Sequence, residues 1–301
     1  MPGVSSSWEG VAGRHVVLTG GTHGIGLAAG KALAGRGAQL TIVARDPSRG
    51  AQAAKEIKAA AAEAGVEGPV VDVAVADLLS QASVLALAAE LAERPGRIDV
   101  LINNAGAVFA QRRLTDDGVE TTWALNHLAP FLLTNLLLER LKRQPPARII
   151  TTTSDAHKRE RLPFADLLAE RRYKGFRRYG QTKLANICFT AELARRLAGS
   201  GVTATCFNPG LVATGFNHNN GPLAALEMRM IKPFSRTPEQ GAETLVWLAD
   251  APEAADGSGK YFFDCKPVAP NAEAQDPAIW KRLWEVSERQ TGLAAPPAPA
   301  F

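Results

Sequence analysis

Short apolar runs alternate along this chain with longer segments in which Ala and Leu return at helical spacing. The runs at 15–19, 40–44, 70–75, 98–102, 148–152 and 202–207 are dominated by Val, Ile, Leu, Ala and Thr. Most are nearly continuous in apolar character, which predicts strands covered on both faces. Between them, residues 25–36, 48–64, 81–93, 116–142 and 178–198 carry helical periodicity. Strand–helix alternation of this kind specifies a parallel sheet with right-handed crossovers, an α/β doubly wound fold. No Pro/Gly/Ser linker divides it, so a single domain is expected over 14–292. It is flanked by a loose segment at 1–13 and a loose Pro/Ala-rich tail at 293–301.

Two stretches break the rhythm. Residues 155–177 separate a strand from the next helix by more than a short connection needs, and long insertions are often functional. Residues 211–236, with Asn217-His218-Asn219-Asn220-Gly221-Pro222 and then an amphipathic stretch, read as a flap beside a site. A last strand is expected at 260–264 and a last helix around 277–288, with Trp280 and Trp284 packing that helix on the core.

Composition narrows the partners. The 34 basic and 30 acidic residues leave a net charge of +4, too balanced to call for nucleic acid or a membrane surface. Eight Lys/Arg crowd 157–178 against three acids, and a solvated loop and helix start is the favoured reading over an acidic partner. Cys188, Cys206 and Cys265 show no paired spacing, and the five histidines show no metal-ligand spacing, so no metal is expected. Neither a signal-peptide core nor an apolar stretch of ~20 residues is seen, so no membrane anchor and a cytoplasmic location are expected.

The first strand runs into Gly20-Gly21-Thr22-His23-Gly24-Ile25-Gly26, and an Ala-rich helix follows. Glycines at 20, 24 and 26 allow a tight turn and close backbone approach to a pyrophosphate, which the helix N-terminus then attracts. In this strand–loop–helix context the loop predicts dinucleotide binding on a Rossmann-like fold. The second strand ends Ala44-Arg45-Asp46. Arg45 suits a 2′-phosphate, so NADP is expected ahead of NAD, with Asp46 capping the next helix in front of Pro47. Asp77 either accepts from an adenine amino group or caps a helix.

Asn103-Asn104-Ala105-Gly106, Ser154, Tyr179-x-x-x-Lys183 and Pro209-Gly210 follow that loop in order. In this arrangement the chain resembles the short-chain dehydrogenase/reductase family over about residues 14–292. Asn126-His127-Leu128, Lys183-Leu184-Ala185-Asn186 and Ser258-Gly259-Lys260-Tyr261-Phe262 are most similar to its retinol-dehydrogenase-like branch. Thr182 stands where that family usually has Ser, and His23 where Asn is common. The chemistry has its own logic. Hydride transfer to a carbonyl leaves an alkoxide that must be protonated. A tyrosine, with its ordinary pKa of ~10, needs a nearby cation to serve near neutrality. Tyr179 and Lys183, four apart on a helix, share one face, whereas Tyr173 has only Arg177 at that spacing.

The resemblance implies Tyr179, Lys183, Ser154 and Asn126 as catalytic residues, with Thr151, Thr152 and Thr153 chemically possible in place of Ser154. Asn126 would hold a relay water by its carbonyl. It implies cofactor contacts at Gly20, Thr22, His23, Gly24, Ile25, Gly26, Arg45, Asp77, Asn104, Ala105, Gly106, Tyr179, Lys183, Pro209, Gly210, Val212 and Thr214. Asn104 to Gly106 would stabilise the sheet and approach the adenosine side. The expected activity is NADP(H)-dependent hydride transfer to or from a carbonyl/alcohol carbon. Phe109, Leu211 and Phe216 would line a site for a lipophilic aldehyde or ketone. A homodimer through 116–142 and 178–198 is also implied. Rival readings are a silent NADP-binding sensor or scaffold and a nucleotide-sugar epimerase.

Overall fold

The computed structural model describes residues 8–212 and 235–293. Eight strands form one sheet in the order β3-β2-β1-β4-β5-β6-β7-β8. These are β1 (His15–Thr19), β2 (Gln39–Ala44), β3 (Val71–Val75), β4 (Val100–Asn103), β5 (Ala147–Thr152), β6 (Val202–Phe207), β7 (Tyr261–Phe263) and β8 (Lys266–Val268). All neighbours pair in parallel except β7 and β8. The chain reverses direction across the sheet between β1 and β4, so the carboxyl ends of those strands flank the crevice where such sheets bind ligands.

Helices α1 (Gly24–Ala34), α2 (Pro47–Glu63) and α3 (Gln81–Glu93) return the chain between the first four strands. Then come α4 (Thr121–Trp123), a π-helical turn (Ala124–Leu128), α5 (Ala129–Lys142), α6 (Gly175–Arg196), α7 (Pro238–Asp250) and α8 (Pro277–Gln290). Val17, Leu101 and Ile149 are buried on one face of the sheet and Val16, Leu18 and Ile102 on the other, so both faces carry a core. This is the single doubly wound domain that the continuous apolar runs required.

Several expectations need correcting. Residues 8–13, expected to belong to a loose segment, are packed against the domain. The Trp8 indole donates to the Asp250 carbonyl at 3.0 Å, Arg14 and Arg148 lie over its ring, and Val11 is fully buried. The helix expected from 116 begins at Thr121, because Glu120 folds back to accept from Thr122 N (2.7 Å) and Trp123 N (3.0 Å). The periodic reading missed β8, which closes a hairpin through Asp264 and Cys265, both at positive φ. It also left α7 unassigned.

The C-terminal helix α8 packs along α6, one of the two helices expected to receive a second copy, and reaches α5 through Trp284. Trp284 is 5.0 Å from the Phe131 ring and 5.8 Å from Phe189, centroid to centroid. Ser287 meets His127 Nε2 at 2.8 Å, and Trp123 Nε1 donates to Gln290 Oε1 at 2.9 Å.

Candidate active site

Thr19 closes β1 with its hydroxyl. Its Oγ1 accepts from Asn104 N (2.9 Å) and Ala105 N (3.1 Å) and donates to the Ile102 carbonyl. Asn104 Nδ2 returns to the Thr19 and Gly20 carbonyls, and Asn104 Oδ1 accepts from Thr152 Oγ1, so the ends of β1, β4 and β5 are knitted together. Glycine is required at two points of this loop. Gly20 sits at φ +69°, and a Cβ on Gly26 would lie 2.1 Å from the Gly20 carbonyl oxygen. His23 is the N-cap of α1 and makes no side-chain cap bond, and no acid stands in the first turn. Backbone N–H groups at a glycine-lined helix start suit a pyrophosphate, so the residues present fit a dinucleotide. Ile25, just inside the helix, faces α7 at Gly241.

At the end of β2, Arg45 is exposed. Asp46 Oδ1 accepts from Ser48 N (2.8 Å) and Arg49 N (3.0 Å), the expected cap, and these bonds hold its carboxyl below the usual range. Asp77 does not cap α3, whose cap is Ser80. Its carboxylate takes Leu79 N at 3.0 Å.

Ser154 leaves β5 and caps a short 3-10 turn (Asp155–Arg159), its Oγ accepting from Ala156 N at 3.2 Å. Its side chain also hydrogen-bonds that of Tyr179. Tyr179 and Lys183 lie on the same face of α6, the Lys183 amine 5.3 Å from the Tyr179 ring centre. Lys183 Nζ donates to the Thr152 carbonyl at 3.0 Å. Gly106 comes close enough that a Cβ there would be 3.4 Å from that amine and 3.2 Å from Asn126 Oδ1. Thus Asn104 and Ala105 serve the glycine loop, while Gly106 belongs to the Lys183 side. The competing Tyr173 is committed elsewhere, donating to the Phe109 carbonyl (2.8 Å) and meeting Thr122 Oγ1 (3.0 Å).

Burial sets the electrostatics of the pair. It pulls the Lys183 amine from 10.5 down to about 8 and pushes the Tyr179 phenol above its ordinary value, with only the Ser154 bond opposing. The expected lowering of Tyr179 by Lys183 is therefore not the prevailing effect. Desolvation of a fully enclosed phenol outweighs it.

Asn126 occupies the π turn. Its side chain donates to the Ala107 carbonyl and Thr182 Oγ1 and accepts from Ala107 N, each within 3.1 Å. Its backbone carbonyl accepts from Asn186 Nδ2 at 2.8 Å. Asn186 was missed, although Pro130 signals it. Proline has no N–H to give the residue four before it, so the Asn126 carbonyl needs another donor. Also missed was the buried pair of Arg178 and Glu120, 2.7 Å apart and both at most 1% exposed. Arg178 lies over Trp123 and reaches the Leu167 carbonyl, tying the 155–177 insertion beneath Tyr179.

Pro209-Gly210 ends β6, with Gly210 at φ +79° against Arg236. Val212 is buried and bridges Arg236. Leu211 is exposed, and Thr214, Phe216 and most of the expected flap lie outside the described residues. No described helix is long and apolar enough to cross a membrane.

Comparison with known proteins agrees with this fold. Residues 14–223 match the family model described as short chain dehydrogenase. Retinol dehydrogenase 12 of Mus musculus is 40% identical over 97% of this chain and 90% of its own length. Human retinol dehydrogenase 13 is 38% identical over 95% and 87%. Among solved structures, an uncharacterised protein from Mycobacterium paratuberculosis superposes with TM-score 0.74 at 32% identity, covering 95% of this chain and 96% of that one. A Pseudomonas aeruginosa RhlG/NADP active-site complex does so with TM-score 0.66 at 27% identity, covering 85% and 96%. Relatives of this identity and coverage, joined to that family match, show that the chain belongs to the short-chain dehydrogenase family, in its retinol-dehydrogenase-like branch, and is an oxidoreductase acting on CH–OH/C=O with a nicotinamide cofactor.

Proposed function

We propose that this protein is an NADPH-dependent carbonyl reductase of lipophilic aldehydes or ketones that works in the cytoplasm. The observation that carries the reading is the convergence of Ser154, Tyr179 and Lys183 at the carboxyl end of β5, across from the glycine loop. Bound along that loop, the cofactor supplies the hydride. Ser154 Oγ holds the substrate oxygen, and Tyr179 gives up its proton as that oxygen becomes an alkoxide. A phenol pushed up by burial keeps its proton through neutral pH, which favours the reductive direction. Lys183, cationic below about 8, presents its charge beside the tyrosine and its N–H groups to the nicotinamide ribose. Asn126 fixes Gly106 and the turn that faces Lys183.

Preference for NADP rests on Arg45 being free to meet a 2′-phosphate while Asp46 is spent on the α2 cap. The lipophilic substrate class rests on Phe176, which stands 71% exposed with its ring 6.2 Å from Tyr179. The test is consumption of NADPH against NADH across aliphatic, aromatic and polycyclic carbonyls, with Tyr179→Phe in parallel. Turnover with NADPH that falls by about 10²-fold or more in Tyr179→Phe is expected. Undiminished turnover by that variant overturns the mechanism.

A further inference from the structure

His157 lies three residues past Ser154 and is wholly buried. It does not face the mouth of the site. Its Nδ1 meets the Ser154 carbonyl at 2.7 Å, and its own backbone N–H donates to the same oxygen at 3.2 Å. On the other side, Asn271 N donates to His157 Nε2 at 3.4 Å. These partners dictate the ring's state. A carbonyl can only accept and a backbone N–H can only donate, so Nδ1 carries the proton and Nε2 presents a lone pair. Asn271 completes the grip, its Nδ2 donating to the carbonyls of His157 (3.0 Å) and Glu160 (3.1 Å). The Tyr261 ring stands edge-on at 5.1 Å, and its hydroxyl donates to Asp155 Oδ1 at 3.0 Å. The turn that aims Ser154 is thus clamped from β7 and from the segment leading to α8, more than a hundred residues away in sequence.

We propose that His157 is a positioning residue of the active site: its neutral ring, held between the Ser154 carbonyl and the Asn271 N–H, aims Ser154 Oγ at Tyr179 and loosens when Nε2 takes a proton. The inference rests on the carbonyl-reductase reading above. A proton on Nε2 sets N–H against N–H and breaks the Asn271 contact, so the ring keeps only its Nδ1–H bond to the Ser154 carbonyl and one side of the clamp opens. The charged and titratable groups around the ring are Asp155, Lys158 and Arg159 on its own turn, Glu160 just after it, Arg177 and Tyr179 from α6, Tyr261 on β7 and Glu273 beyond Asn271. Burial dominates over them and holds the ring below the ordinary histidine value of 6.5, which keeps the clamp closed at neutrality.

The experiment is the pH dependence of kcat for NADPH-driven carbonyl reduction in the wild type, His157→Asn and His157→Phe, from about pH 5 upward. NADPH affinity is measured on each variant by fluorescence. Asparagine keeps an N–H near the Nδ1 position but cannot titrate, whereas phenylalanine keeps the bulk and donates nothing. The wild type is expected to lose kcat on its acid side, with the basic limb near 8 belonging to Lys183. His157→Asn should retain kcat within a few fold and lose the acid inflection. His157→Phe should lose about tenfold or more in kcat at unchanged NADPH affinity. The imidazole of the wild type, followed by NMR without cofactor, should titrate at the acid inflection. An absent acid limb in the wild type, an unmoved inflection or a lost kcat in His157→Asn, or full activity in a folded His157→Phe overturns the proposal. Should the Phe variant not fold, the Asn variant and the imidazole titration decide. Failure of Tyr179→Phe to impair turnover strikes the functional reading itself and is told apart by that.

Discussion

Neighbouring residues in this site divide opposing tasks. At the end of β2 an arginine and an aspartate stand side by side, and only the backbone N–H groups of α2 keep the carboxylate occupied. If Arg45 grips a 2′-phosphate, Arg45→Ala should weaken NADPH binding by about 10- to 100-fold, the worth of one bidentate charge-assisted contact. NADH, with no phosphate there, should lose much less. Fluorescence titration with both nucleotides checks this, and equal losses would remove Arg45 from the nucleotide site. The same division holds at Tyr179 and Lys183. Burial keeps the phenol protonated and loosens the proton on the amine, so two groups with ordinary values near 10 diverge in opposite directions.

The elements were legible where one local rule governed them. Six strands follow from apolar runs, and α3 matches the helix expected at 81–93 to the residue. Tertiary contacts decided the rest. The stretch from 116 to 142 reads as one helix by periodicity, yet Glu120 starts it late and Pro130 leaves the Asn126 carbonyl to a side chain from α6. That Tyr179 and Lys183 share a face was readable from their spacing, because helical i,i+4 geometry is local, whereas Ser154 came from the resemblance alone. Asn186, Arg178 with Glu120, and the Asn271 clamp join residues scores of positions apart, which no period encodes. The same holds for α8, whose apolar face is visible in the sequence but whose partner is not. Trp284 fills the groove between α5 and α6 at 3% exposure, with Arg196 4.0 Å above its ring. Trp284→Ala should therefore cost about 3–5 kcal/mol in urea unfolding. A loss under 1 kcal/mol would mean that α8 rests on that face without holding it.

Across the molecule, the buried histidines give stability a direction in pH. His127 joins three elements, since it leaves the π turn to meet Asn186 on α6 (3.2 Å) and Ser287 on α8 (2.8 Å) and lies tilted against Trp123. Burial, helped by the charge of Arg178, lowers it from 6.5 to about 4, against the Asn186 bond. His15 and His157 are also lowered, chiefly by burial. Above about 6.5 neither folded nor unfolded chain protonates His127, and its contribution is complete. Between 6.5 and 4 the unfolded chain takes the proton and the folded one refuses it, so stability falls as pH falls. The lowering corresponds to about 3 kcal/mol once pH passes below 4. Urea unfolding at pH 7.5 and 4.5 should show the wild type losing about 2–3 kcal/mol more than His127→Gln across that interval. The variant starts from a lower stability because it forfeits a ring packed among Trp123, Phe131 and Phe189. The difference between the two pH values, not the absolute stability, carries the test. Identical losses in both proteins would place the acid sensitivity in other groups and leave His127 as packing alone.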